Sequence, residues 1–62
     1  MDCNKYKYYR LQRGLTQAMV GQLLGVKQAT VAQWEIGKSN PTAKLLPKLA
    51  KLYKCKIDAL LS

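Results

Sequence analysis

The sequence contains no histidine and no phenylalanine, and only three acidic residues stand against eleven lysines and arginines. The missing histidine removes the side chain that most often transfers protons near neutral pH. The acids occur singly, and the sequence has no glycine-rich loop of the kind that holds phosphates. These absences argue against an enzyme, so we predict no catalytic residues and no cofactor.

Cysteine and long apolar runs are also scarce. Cys3 and Cys55 are too few for a disulfide scaffold, and no histidine joins them in a zinc-binding set. No apolar run approaches the roughly 18 residues that a membrane span requires. Residues 1–10 lack the hydrophobic core of a secretion signal. The sequence therefore predicts a reduced, cytoplasmic protein with no membrane partner, no bound metal and no small-molecule ligand.

Positive charge is what the chain has in excess. Its 62 residues allow one small domain, which we expect to span residues 1–62, and its formal charge is +8. Such a surface favours a polyanionic partner, either nucleic acid or an acidic membrane surface. The alternative is that the positive charge only keeps the protein soluble and has no polyanionic partner.

Capping residues and glycines divide the first half of the chain into three short helices. Asn4 is expected to cap a first helix that runs to about Arg13 and ends at Gly14. Thr16 is expected to cap a second helix over residues 17–24, closed by Gly25. A third helix over residues 28–34 follows so closely that the two must cross steeply. Gly21 then serves the close approach of the next helix's backbone.

The second half of the chain predicts two more helices. Thr42 is expected to cap the fourth, in which Pro47 forces either a kink or a start near Leu46. A last short helix lies near residues 57–61. The apolar spacing predicts these inward-facing residues: Tyr6, Tyr9, Leu11, Val20, Leu23, Leu24, Val31, Trp34, Leu45, Leu46, Leu49, Leu52, Tyr53, Ile57, Leu60 and Leu61.

The third helix has two unlike faces. On a helical wheel Val31 and Trp34 lie on one side, and the other side carries Gln28, Ala29, Ala32 and Gln33. A solvent-facing helix usually carries paired charges instead of amides and methyl groups. Glutamine can bond bidentately to adenine, and alanine can touch a thymine methyl, so this face suits the major groove of DNA. A plain polar surface is the alternative.

Several motifs in this order resemble those of one family of DNA-binding domains. They are Arg10, the segments GLTQ (14–17), LGV (24–26), WEIGK (34–38) and IDALL (57–61), and Gly21, Val31, Pro41 and Leu49-Ala50. Together they are similar to the helix-turn-helix domains of the Cro and phage-repressor type, also called the XRE family. The resemblance implies a compact, all-α, five-helix domain of the lambda-repressor-like type, with helices two and three as the helix-turn-helix.

The resemblance also implies roles for residues at matching positions. The implied base readers are Gln28, Ala29 and Gln33, with Lys27 and Thr30 beside them; the implied phosphate contacts are Gln17, Lys38, Ser39, Asn40 and Lys44. Arg10 and Glu35 occupy positions that form a structural ion pair. Each lysine could equally belong to an ordinary solvated face.

The chain departs from the family pattern after the fourth helix. Lys54 stands where the family often has glycine, at a cost of about 1 kcal/mol if its φ is positive. Cys55 is expected to fill the core, and Tyr8 to be available to a dimer contact.

The leading function is sequence-specific binding of double-stranded DNA by a transcriptional regulator, expected to be a repressor. Such regulators bind palindromic operators as homodimers. Because the sequence ends directly after the fifth helix, we expect any dimer to use the domain's own surface, at least on DNA. The expected setting is bacterial or phage-encoded, cytoplasmic and nucleoid-associated. The alternative is an antitoxin or protein-interaction module in which DNA binding is secondary.

Overall fold

The computed structural model describes residues 4–61, in which all regular structure is helical. The helices are α1 (Lys5–Gln12), α2 (Gln17–Leu24), α3 (Gln28–Glu35), α4 (Leu45–Tyr53) and α5 (Ile57–Leu61). They pack around one apolar core, which confirms the all-α, five-helix prediction. Cys3 lies outside the described residues.

The caps of α1 and α2 lie where the sequence places them. The Asn4 side-chain oxygen accepts a hydrogen bond from the Lys7 backbone N–H at 3.1 Å, and Thr16 Oγ accepts one from the Met19 N–H at 3.0 Å. Each satisfies a backbone donor that the first turn of a helix leaves unpaired. Asn4 Nδ2 also donates to the Trp34 carbonyl at 2.6 Å, which ties the start of α1 to α3.

The turn between α2 and α3 depends on Gly21, which is buried within α2. A Cβ atom at this position would lie 2.7 Å from the Val26 carbonyl oxygen and 3.3 Å from the Gln28 nitrogen. The Val26 N–H donates to the Gly21 carbonyl at 2.8 Å, so the chain folds directly back over the glycine. The expected close approach is confirmed, and the absence of a side chain is what permits it.

The start of α4 confirms one of the two alternatives for Pro47, a helix that begins near Leu46, but the predicted Thr42 cap is wrong. Thr42 does not cap the helix with its side chain; its carbonyl accepts the Leu45 and Leu46 N–H groups, and α4 begins at Leu45. Pro47 is therefore the third residue of the helix. The N–H groups of the first turn have few intrahelical partners, so a proline is tolerated there.

The core is smaller than the predicted inward set. Its buried members are Tyr6, Val20, Val31, Trp34, Leu49, Ala50, Tyr53 and Leu60. Leu11, Leu23 and Leu61 were expected to face inward, but their exposed fractions are 52%, 61% and 62%. Ile57 is also exposed. These residues belong to apolar pairs or lie at helix ends, and helices of five to nine residues bury only a narrow stripe against the core.

The end of α4 and the residue after it agree with the sequence-based expectations. Lys54 adopts φ 54° at the end of α4, which is the positive φ that its position implied. Cys55 is half-buried and packs against the core, as expected of a filler residue, and this burial raises the pKa of its thiol.

A candidate nucleic-acid interface

Helix α3 anchors one face in the core and turns the other outward. Val31 is fully buried and Trp34 is 2% exposed. Gln28 and Ala29 are exposed near the start of the helix, while Thr30 and Gln33 are half-buried. Lys27 is exposed at the N-cap and makes no side-chain cap bond. The polar face thus projects most strongly at its N-terminal turn.

The loop after α3 folds back over the end of the helix, which accounts for the partial burial of Gln33. The Gln33 carbonyl accepts the Lys38 N–H at 2.9 Å, and its side-chain oxygen accepts from Ser39 Oγ at 3.5 Å. Sequence reasoning placed Gln33 and Ser39 in separate roles. The structure brings them together, so Ser39 is positioned to orient the Gln33 amide.

A buried ion pair fixes α1 against α3. Arg10 Nε donates to Glu35 Oε2 at 2.6 Å, and Arg10 Nη2 donates to Glu35 Oε1 at 3.0 Å. A third nitrogen, Nη1, donates to the Leu15 carbonyl at 2.8 Å. Both charged residues are 8% exposed, so their attraction is little screened by water. This is the pair of positions that the family resemblance assigned to a structural role.

Gln17 links this ion pair to the outer face of α3. Its side-chain nitrogen donates to Glu35 Oε1 at 3.0 Å, and its side-chain oxygen accepts from Gln28 Nε2 at 3.5 Å. One amide therefore bridges a buried carboxylate and an exposed glutamine. Sequence reasoning had assigned Gln17 only to a phosphate. Its bond to Glu35 could not be found from sequence because it joins residues 18 positions apart.

The remaining phosphate candidates lie on the exposed loop that leads into α4. Lys38, Asn40 and Lys44 are exposed, whereas Ser39 is half-buried against Gln33. Pro41, between them, is buried and anchors the loop to the protein. The loop therefore exposes the ammonium groups of Lys38 and Lys44 and the amide of Asn40, while buried Pro41 holds it against the protein.

Tyr53 lies behind the ion pair, in the field of its charges. Burial, and then the negative charge of Glu35, raise the pKa of the Tyr53 phenol far above its ordinary value of 10.0, and Arg10 lowers it by less. A tyrosine phenol is already neutral at physiological pH, and the raised pKa keeps Tyr53 neutral further into the alkaline range. It contributes packing to the site, and no charge.

Two short helices joined by a turn built on glycine, with an amide-rich outer face on the second, define a helix-turn-helix protein. No helix within residues 4–61 has the length and apolar character needed to cross a bilayer.

Comparison with known proteins gives the same class. The family model described as "Helix-turn-helix" matches residues 7–60. An uncharacterized HTH-type transcriptional regulator of Methanocaldococcus jannaschii is 44% identical over 55 residues, which cover 89% of this chain and 83% of the relative. One from Archaeoglobus fulgidus is 33% identical over 54 residues, covering 87% and 76%.

A bacterial relative is similar over a smaller share of its own length. The HTH-type transcriptional regulator DicA of Escherichia coli is 35% identical over 51 residues, covering 82% of this chain and 38% of DicA. No solved structure matches significantly. The chain belongs to the helix-turn-helix family of transcriptional regulators, of the Cro and phage-repressor (XRE) type. This is a family of regulators and not of enzymes, and its members here include archaeal as well as bacterial proteins.

Proposed function

We propose that residues 1–62 form one domain that binds double-stranded DNA sequence-specifically, reads the major groove with residues 28–34, and acts as a repressor by occupying an operator. The observation that carries this proposal is the outer face of α3. Exposed Gln28 and Ala29 project from a helix whose opposite face is buried in the core, and the Gln28 side-chain nitrogen lies 3.5 Å from the Gln17 side-chain oxygen.

The base-reading roles follow from the chemistry of this face. A glutamine amide offers a donor and an acceptor to the N6 and N7 atoms of adenine, so Gln28 and Gln33 are the principal readers. Ala29 allows close approach and contact with a thymine methyl group. Lys27 and Thr30 flank these residues and reach bases or the neighbouring phosphates.

The phosphate-binding roles fall on both sides of α3. At the start of α2, Gln17 and the backbone N–H groups of the first turn meet one phosphate. In the loop beyond α3, Lys38, Ser39, Asn40 and Lys44 meet the backbone on the other side, and Ser39 also contacts the Gln33 side chain. These phosphate contacts determine the affinity and the position of the protein on DNA. Contacts with the bases determine which sequence is bound.

We further propose that two copies bind a palindromic operator as a homodimer, at least on DNA, in the cytoplasm and next to the nucleoid. One helix-turn-helix contacts few base pairs, and twofold pairing doubles the sequence that is read. Tyr8, 52% exposed on α1, is a candidate for the contact between copies.

Selection from a randomised double-stranded DNA pool, sequenced after binding at two salt concentrations, tests the proposal. We expect a twofold-symmetric motif whose half-sites are separated by about one helical turn and which persists at the higher salt. Binding that is equal for all sequences and is lost at the higher salt would show that the positive charge only attracts DNA without reading it.

A further inference from the structure

A shallow apolar groove lies between α2 and α4. It has a volume of about 420 Å³ and is lined by Leu23, Leu24, Lys48, Lys51 and Leu52. We call it the α2–α4 groove. Leu24 and Leu52 form a floor packed against the core, and Leu23, 61% exposed, forms one wall.

The apolar character extends along α2 beyond the groove. Met19 is 43% exposed and stands four residues before Leu23, so the two side chains lie on the same face of the helix. Neighbouring exposed apolar side chains that border a groove typically mark a site that another molecule covers. Met19 and Leu23 therefore give a partner protein two exposed apolar side chains to contact, which a fully polar helix face lacks.

The rim of the groove determines the chemistry of the partner. Lys48 and Lys51 are exposed on α4 and are three residues apart, so their ammonium groups stand on one side of the apolar floor. An apolar side chain with carboxylates beside it matches this arrangement. DNA matches it poorly, because a phosphate backbone leaves the leucine floor uncovered.

A second copy of this chain is a poor occupant for the same reason. The chain carries +8 overall and has three acids, of which Glu35 is buried in its ion pair. A second copy therefore has few carboxylates to place against Lys48 and Lys51. The charges therefore favour a different, acidic protein.

We propose that the α2–α4 groove binds a short acidic segment of a partner protein, which places an apolar side chain between Leu23 and Leu52 and carboxylates against Lys48 and Lys51. The inference adds a partner to the proposed function but does not depend on it. Leu23 lies six residues after Gln17, about 9 Å along the helix axis, whereas Lys44, a residue that we assign to phosphate, stands one helical turn before Lys48. Binding of the partner in the presence of DNA is therefore part of the test.

The test uses a designed peptide as the probe. A synthetic helical peptide with leucines four residues apart, flanked by glutamates, is titrated into the isotope-labelled full chain and followed by NMR. We expect backbone shifts centred on residues 23–24 and 48–52, which persist when the protein is saturated with duplex DNA. Shifts centred on Gln28 and Lys38 would overturn the proposal, because the acidic peptide would then be acting only as a mimic of phosphates.

Reversing the charge of Lys48 and Lys51 gives a second and more specific test. In Lys48→Glu/Lys51→Glu we expect affinity for the glutamate peptide to fall by about tenfold, and a peptide with lysines in place of the glutamates to bind better than before. The matched control is Lys7→Glu/Lys56→Glu, which changes the net charge equally at two exposed sites outside the groove. Equal losses in both double variants, or no binding by wild type, would also overturn the proposal. Because no DNA is needed in this arm, its failure is distinct from a failure of the proposed function.

Discussion

The ends of α2 and α4 share one backbone design but differ in their residues. Gly25 closes α2 with φ 77° and Lys54 closes α4 with φ 54°, and both are left-handed. After each, a backbone N–H reaches back five residues: Val26 to the Gly21 carbonyl at 2.8 Å and Cys55 to the Ala50 carbonyl at 3.0 Å.

The two turns also differ at the residue whose carbonyl accepts this bond. Ala50 carries a Cβ atom and is buried in the core. At Gly21 a Cβ atom would meet the Val26 carbonyl at 2.7 Å, because α3 begins immediately beyond the turn. The turn between α2 and α3 thus requires glycine at position 21 for packing. Glycine in place of Lys54 would only lower the local backbone energy of the α4–α5 turn.

Breaking the Arg10–Glu35 ion pair should have the largest effect on stability. In Arg10→Met the Glu35 carboxylate stays buried without its charged partner, and we expect the free energy of unfolding to fall by about 3–5 kcal/mol. Urea denaturation followed by circular dichroism measures the change. Arg13→Met, an exposed arginine at the end of α1, is the control and should change stability by less than about 0.5 kcal/mol. A small loss in Arg10→Met would contradict the structural role of the pair.

A methyl group added at Gly21 should have the second-largest effect on stability. Gly21→Ala places a Cβ against backbone atoms that cannot rotate away, so we expect a loss of about 1–3 kcal/mol and weaker specific DNA binding. Thermal denaturation together with an operator titration tests both. Gln22→Ala, exposed on the same helix, is the control. If Gly21→Ala were as stable as its control, the contrast between the two turns would not hold.

The α4–α5 turn should respond in the opposite direction. Lys54→Gly relieves a left-handed non-glycine residue, so we expect a gain of about 1 kcal/mol, while Gly25→Ala at the matching position loses about the same. Chemical denaturation of both variants gives the comparison. Lys51→Gly controls for glycine within α4 and should be destabilising by about 1 kcal/mol. A loss in Lys54→Gly would mean that its side chain contributes more than its backbone costs.

The smallest effect is expected at Tyr53, whose buried hydroxyl has no hydrogen-bond partner within residues 4–61. At pH 7 Tyr53→Phe should keep or slightly raise stability. The raised pKa makes the folded state hold the phenol proton more tightly than the unfolded state does. Wild type should therefore lose stability as the pH rises above about 10, and Tyr53→Phe should lose less. Unfolding curves across alkaline pH, with exposed Tyr8→Phe as control, give the test.

The sequence predicted most of the fold because caps, glycines and apolar spacing act locally. Thr16, Gly21 and Gly25 define α2 and its turn from within ten residues of chain. Pro47 could be resolved only by structure, since two helix starts were compatible with it. The bond from Gln17 to Glu35 and the return of Ser39 to Gln33 depend on how distant helices and loops meet, which no local pattern contains.

Base reading by α3 is tested with one variant in α3 and one in the loop that follows it. The titration compares wild type, Gln33→Ala and Lys38→Ala on the selected operator and on random duplex DNA. We expect Gln33→Ala to lose about 1–3 kcal/mol of binding free energy on the operator only, with relaxed preference at one base position. We expect Lys38→Ala to weaken binding to both DNAs alike. Equal losses on operator and random DNA in both variants would contradict base reading by α3.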